Sequence, residues 1–112
     1  MKILVYGSLR EGEYNFDRIK DAYGKASIRK VGEKEVDGFQ MHNLGFYPAI
    51  KKGEGTIKCD ILEVSEKAAL FIDSMEVGAG YIKTEVDGLP IYEMNRNVSN
   101  YPLVKSGDWT KK

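Results

Sequence analysis

Residues 56–81 read Thr-Ile-Lys-Cys-Asp-Ile-Leu-Glu-Val-Ser-Glu-Lys-Ala-Ala-Leu-Phe-Ile-Asp-Ser-Met-Glu-Val-Gly-Ala-Gly-Tyr. Within this stretch the pattern changes from strand to helix. Thr56 to Val64 carries Ile57, Cys59, Ile61 and Leu62, which predicts a strand with a half-buried face. Ser65 is a good N-cap, and the residues from Glu66 to Glu76 form a strong helical run. Its core stripe is Ala68, Leu70 or Phe71, Ile72 and Met75. Gly78 and Gly80 end the helix. Two further strands follow, Tyr81 to Val86 and Leu89 to Met94, joined by a turn at Asp87-Gly88.

Upstream, Ile3, Leu4 and Val5 form a short apolar run stopped by Gly7, the mark of a buried strand. Asn15 is a plausible N-cap for a helix whose Phe16, Ile19, Ala22 and Tyr23 recur at helical spacing, and Gly24 suits its stop. From Ala26 to Ile50 the pattern favours strands, with Asp37-Gly38 as one turn signal and Gly53-Glu54-Gly55 as the next. The order is strand, helix, strands, helix, strands. It predicts one α+β domain over 1–112, a mixed, strongly curved sheet or small barrel with flanking helices.

Composition narrows the function. The 112 residues are 42% apolar and 30% charged, with 17 Lys and Arg against 17 Asp and Glu, so the formal net charge is zero. A nucleic-acid binder needs a surplus of cations to neutralise phosphate, and none is present. No apolar run approaches the ~20 residues of a membrane span. The polar chain soon after Val5 is too close to the start for a secretory leader, which predicts a cytoplasmic protein. One cysteine, Cys59, and one histidine, His42, leave little material for a zinc site or a Cys-His nucleophile. No nucleotide-binding, zinc-protease or hydrolase-elbow motif occurs.

Two places can carry chemistry. Tyr6-Gly7-Ser8-Leu9-Arg10 follows the first strand, where a turn can aim several N–H groups at one anion. The plainer reading is a loop that caps a sheet edge. The second place is Glu76, near a helix C-terminus and next to Phe71, Ile72 and Met75. The helix dipole and desolvation would both raise its pKa toward a value useful for proton transfer. For a lone Glu, a solvated acid on a fraying helix end carries more weight. Asp73 suits local hydrogen bonding, Cys59 a small core position, and Trp109 the packing of the C-terminal tail onto the sheet.

Taken in order, four segments resemble the gamma-glutamylcyclotransferase family, including its avirulence-induced-gene-like proteins. They are Val5-Tyr6-Gly7-Ser8-Leu9-Arg10, Leu44-Gly45-Phe46-Tyr47-Pro48-Ala49-Ile50, Ile72-Asp73-Ser74-Met75-Glu76 followed by Tyr81, and Ser106-Gly107-Asp108-Trp109. The resemblance implies a cofactor-independent enzyme that converts a gamma-glutamyl amine or amino acid to 5-oxoproline and releases the free amine. It implies Glu76 as the catalytic acid/base, Tyr6, Gly7, Ser8 and Leu9 as the substrate-binding loop, and Tyr81 and Tyr92 as pocket tyrosines. Arg10 is a further source of positive field. The implied partner is a small gamma-glutamyl molecule, with no metal, nucleic acid or membrane. Val77 stands where the family usually has Gly, and Lys83 where it often has Arg. The alternatives are a non-catalytic domain that binds small glutamyl anions in the same fold, and a protein-interaction module that uses a sheet edge.

Overall fold

We describe all 112 residues of the chain from a computed structural model. The elements are β1 (Lys2–Val5), α1 (Tyr14–Tyr23), β2 (Ile28–Asn43), β3 (Pro48–Val64), α2 (Glu66–Gly78), β4 (Tyr81–Val86) and β5 (Leu89–Met94). Short 3₁₀ turns occupy Lys25–Ser27 and Trp109–Lys111. One sheet has the order β1-β3-β2, the other is the hairpin β4-β5, and every ladder is antiparallel.

Of the two expected forms, a strongly curved sheet or a small barrel, the barrel does not form; the sheets remain open. Contact between them runs through side chains where a closing ladder would be needed. Tyr6 Oη donates to Tyr92 O across 2.6 Å and ties the exit of β1 to β5.

From Ile3 to Val5 both faces of β1 are buried, and only apolar residues stand there. Ile3 and Val5 pack with both helices in one cluster, and Leu4 packs on the opposite face with Ile50, Ile57, Ile91 and Trp109. This is the period-2 alternation of a strand with core on each side. Its register against β3, Ile3↔Leu62 to Val5↔Asp60, delivers the chain to the middle of the fold at Tyr6.

The predicted turns at Asp37-Gly38 and Gly53-Glu54-Gly55 are instead one irregularity inside two long strands. Asp37 pairs with Thr56 and Phe39 with Lys52, so Gly38 alone lies opposite three residues. Gly38 has a φ of 90°, and a Cβ on Gly55 would meet Phe39 O at 2.7 Å. The same glycine chemistry that closes a turn here builds a bulge. The hairpin turn lies further on, between Asn43 and Pro48. Leu44 N–H donates to Tyr47 O at 3.1 Å, and Gly45 N–H donates to Asn43 Oδ1 at 2.8 Å.

The helix caps divide. Ser65 Oγ accepts from Ala68 N–H at 3.2 Å, as its N-cap role predicts. Of the stripe alternatives, Phe71 packs against the core and Leu70 points into solvent. Asn15 does not cap α1: Glu13 holds that position without a side-chain bond, and Asn15 Nδ2 donates to Ser8 Oγ at 2.7 Å. At the C-terminus, Val104 N–H donates to Met41 O and Lys58 N–H to Gly107 O, both at 2.8 Å. The tail is thus laced to β2 and β3, with Trp109 buried beneath it.

Candidate active site

The chain leaves β1 at Tyr6 and turns at once. Arg10 N–H closes the turn onto Gly7 O at 3.0 Å, and Ser8 O accepts the Asn15 and Phe16 N–H groups at 2.9 and 3.2 Å. The carbonyls of Gly7 and Ser8 are therefore spent on the protein. The N–H groups of Gly7, Ser8 and Leu9 donate to no protein acceptor. Gly7 is glycine because of a close approach: a Cβ there would stand 2.7 Å from Pro48 Cγ, and its φ is not positive. The tight-turn reason suggested by the sequence is replaced by a packing reason.

Glu76 lies in the last turns of α2, half-buried. No hydrogen bond or ion pair reaches its carboxyl group; the Tyr92 hydroxyl and the Lys83 ammonium go to Asp73 instead. Burial raises its pKa from 4.5 to about 7. An acid at that value is present in both protonation states at neutral pH, which is what a proton shuttle requires.

The residues that carry both features line one cavity of about 510 Å³. That size is within the usual range for small-molecule sites. All of the residues singled out as site residues line it: Tyr6, Gly7, Ser8 and Leu9 from the loop, Glu76 from α2, and Tyr81 and Tyr92 from the second sheet.

The three tyrosines have their hydroxyl protons committed. Tyr6 donates to Tyr92 O at 2.6 Å, Tyr81 to Pro48 O at 2.6 Å, and Tyr92 to Asp73 Oδ1 at 2.7 Å. Burial, with neighbouring acidic groups adding to it, raises the pKa of each above the ordinary tyrosine value. They are neutral phenols, and what each can still offer the cavity is an oxygen lone pair.

A sequence profile of the family described as gamma-glutamyl cyclotransferase, AIG2-like, matches residues 3–111. The chain belongs to this family. Among similar proteins, the gamma-glutamylcyclotransferase family protein YtfP of Escherichia coli K12 is 27% identical over 97% of this chain and 96% of its own. PH0828 of Pyrococcus horikoshii is 31% identical over 86 residues, 77% of this chain and 68% of the relative. The crystal structure of PH0828 superposes with a TM-score of 0.81 over 99% of this chain and 91% of that one, at 26% identity. The solution structure of YtfP gives 0.76 over 97% and 96%, at 25% identity. Membership ties the chain to gamma-glutamyl chemistry and accounts for the shared α+β architecture.

In this AIG2-like chain Arg10 does not lend its charge to the cavity. Its guanidinium turns to the back of the loop, 7% exposed, 3.3 Å from Asp60 and 2.8 Å from Asp108. Asp73 is engaged as well. The Tyr92 hydroxyl first, then Lys83 at 3.4 Å, hold its pKa below the ordinary carboxylate value, so it serves as an anchor. Sequence reasoning missed the cavity residues Tyr14, Asn15, Phe46, Tyr47 and Pro48 as site residues. Three of them stand in the Gly45-Phe46-Tyr47-Pro48 segment that carries part of the family resemblance, and that was the available signal. Asn15 had none, since its residue type fits a helix cap equally well.

Proposed function

We propose that the chain is a cofactor-independent cyclotransferase acting on gamma-glutamyl amines or gamma-glutamyl amino acids, with Glu76 as general acid/base. One observation carries the reading: an unpartnered carboxyl of raised pKa shares a cavity with three backbone N–H groups that lack a protein acceptor.

The chemistry asks for little else. The substrate's own α-amine is the nucleophile and its γ-carbonyl the electrophile, so the site has only to fold the glutamyl chain back on itself. Well-oriented intramolecular reactions reach effective molarities of about 10⁵ M or more. Glu76 in its carboxylate form takes a proton from the α-ammonium. The freed amine adds to the γ-carbonyl carbon, and the carbonyl electron pair moves onto oxygen. Glu76 then returns the proton to the departing nitrogen as the oxyanion re-forms the carbonyl and the amide C–N bond breaks, and it relays the second proton of the ring nitrogen to the freed amine, which leaves as its ammonium. The products are 5-oxoproline and the free amine, and Glu76 ends as it began. The loop amides of Gly7, Ser8 and Leu9 receive the substrate carboxylate or the developing oxyanion, where one donor is worth ~3 kcal/mol at the transition state. The Tyr81 and Tyr92 oxygens accept from the ammonium.

Incubation with gamma-glutamyl amides and chromatographic detection of 5-oxoproline tests the reaction. Product from the native chain and none above background from Glu76→Gln is the expected result. Equal product from both proteins removes Glu76 from the mechanism.

A further inference from the structure

The cavity lining divides by exposure into a floor and a rim. Tyr6, Leu9, Tyr81 and Tyr92 are buried and form the floor, beside the loop amides. The rim is Tyr14, Phe46 and Tyr47, exposed by 75%, 97% and 39%, together with Ala79. Phe46 is the most exposed large apolar side chain in the protein. The turn that carries it is fixed: Leu44 packs against the core, and Leu44 N–H and Asn43 Oδ1 brace the backbone on either side. A phenyl ring is thus held in water, at the mouth of the cavity, by a well-anchored turn.

The charge pattern of this mouth is as one-sided as its shape. No Lys, Arg or His lines the cavity, and Glu76 is its one carboxyl group. Arg96 acts on the lining from outside: it partly offsets the raised pKa of Tyr81 but does not line the cavity. If the glutamyl group occupies the floor, the group attached to the scissile nitrogen passes through the rim. A free carboxylate on it would find no cation there and would face the negative π surfaces of aromatic rings. An ammonium would gain cation–π attraction from the ring faces, but it would give up water with no rim carboxylate to pair with. A flat apolar group would bury its own surface and that of Phe46 together.

Resting on the cyclotransferase reading, we propose that the rim selects substrates whose leaving amine bears an aromatic or similarly flat, uncharged apolar group, and that Phe46 is the residue that determines this specificity. The released product is then an apolar amine, not an amino acid.

The test compares gamma-glutamyl benzylamide, gamma-glutamyl methylamide, gamma-glutamylglycine and the mono-gamma-glutamyl amide of 1,4-diaminobutane as substrates for the native chain, Phe46→Ala and Arg96→Ala. The benzylamide is expected to give the highest kcat/KM. In Phe46→Ala the benzylamide-to-methylamide ratio is expected to fall about tenfold, mostly through KM. Phe46 makes almost no contact within the protein, so its replacement does not threaten folding. A preference for gamma-glutamylglycine that disappears in Arg96→Ala overturns the proposal, and so does a preference for the diaminobutane adduct. Calorimetric binding of the same four compounds to the Glu76→Gln variant separates the two readings. If nothing is turned over but the benzylamide binds tightest and Phe46→Ala weakens it, the cyclotransferase reading falls and the rim selectivity stands. Binding without order among the four, or no binding, overturns the rim proposal.

Discussion

Two carboxyl groups flank the Tyr6–Arg10 loop, and the protein treats them in opposite ways. Behind the loop, Asp60 is 1% exposed and surrounded by donors: Arg10 Nε at 3.3 Å, Lys30 Nζ at 3.4 Å and Glu11 N–H at 3.0 Å. In front, Glu76 is half-buried with no cation and no donor. Asp108 belongs with the first group. Burial pushes its pKa up, but hydrogen bonds from Thr110 and Arg10 outweigh that and hold it below the ordinary value. Burying a carboxyl therefore has two outcomes. With cations and donors it becomes a tie between distant segments; without them it holds its proton to neutral pH. The loop is pinned from the side where charges are matched and left open on the side where one is not.

The largest expected effects separate the two groups by kind. Glu76→Gln should lower turnover by about 10³-fold while leaving the folded spectrum intact, because only proton transfer is removed. A loss under tenfold would make the front acid no more than a lining residue. Arg10→Met should leave Asp60 and Asp108 buried without their shared cation and destabilise the fold by about 3–5 kcal/mol in urea unfolding. A change below about 1 kcal/mol would mean that Lys30 and the Glu11 amide hold Asp60 unaided. If the contrast is real, Glu76→Gln changes rate and not stability at low pH, and Arg10→Met changes stability first.

This contrast also marks what could be read from the chain alone. β1, the Ser65 cap, α2 and the β4–β5 hairpin follow from local patterns, since each is specified by residues adjacent in sequence. Asp87 at a φ of 52° and Gly88 at 79° take the left-handed pair that an Asp-Gly hairpin turn predicts. Asp37-Gly38 is the same dipeptide and forms a bulge, because the strands on either side stay paired with a partner more than ten residues away. Sheet closure was beyond local patterns for the same reason. At the site, the residue type of Glu76 favoured a solvated acid, and only its company with the other three family segments argued for a cavity. The direction of Arg10 was illegible: Asp108 lies 98 residues away in sequence. Nothing near Arg10 announces that its partners are behind the loop. The rim was missed because Phe46 looks like a strand core residue until the turn that exposes it is placed.

A smaller effect probes how tightly the open side is shaped. Gly7→Ala would put a methyl group 2.7 Å from Pro48 Cγ and 2.8 Å from Pro48 Cδ. The Pro48 ring cannot swing away freely, since Pro48 O is held by Tyr81 Oη. We expect a loss of about 1–3 kcal/mol in stability, together with a raised KM as the loop shifts from Pro48. An unchanged KM alongside the lost stability would place the anion-receiving amides away from Gly7, at Ser8 and Leu9.

The smallest predicted effect is a pH dependence that only the front acid can produce. The pKa of Glu76 is raised by burial from 4.5 to about 7. Between those values the folded chain keeps a proton that the unfolded chain has released. The unfolded state then binds fewer protons, and stability falls as pH rises through the window. Below pH 4.5 both states are protonated and the group contributes no slope; above about 7 both are ionised and the loss is complete. Glu76→Gln removes this titration. The variant should match the native chain near pH 4 and exceed it at pH 8 by about 1–2 kcal/mol, a figure reduced because the carboxylate faces a cavity that admits water. Urea midpoints of both proteins across pH 4–8 measure the difference. In the native chain kcat/KM should rise over the same window with an apparent pKa near 7, since the carboxylate form accepts the ammonium proton. A stability difference that does not vary with pH, paired with a rate profile that does, would assign the rate-controlling titration to the substrate amine and leave Glu76 ionised throughout.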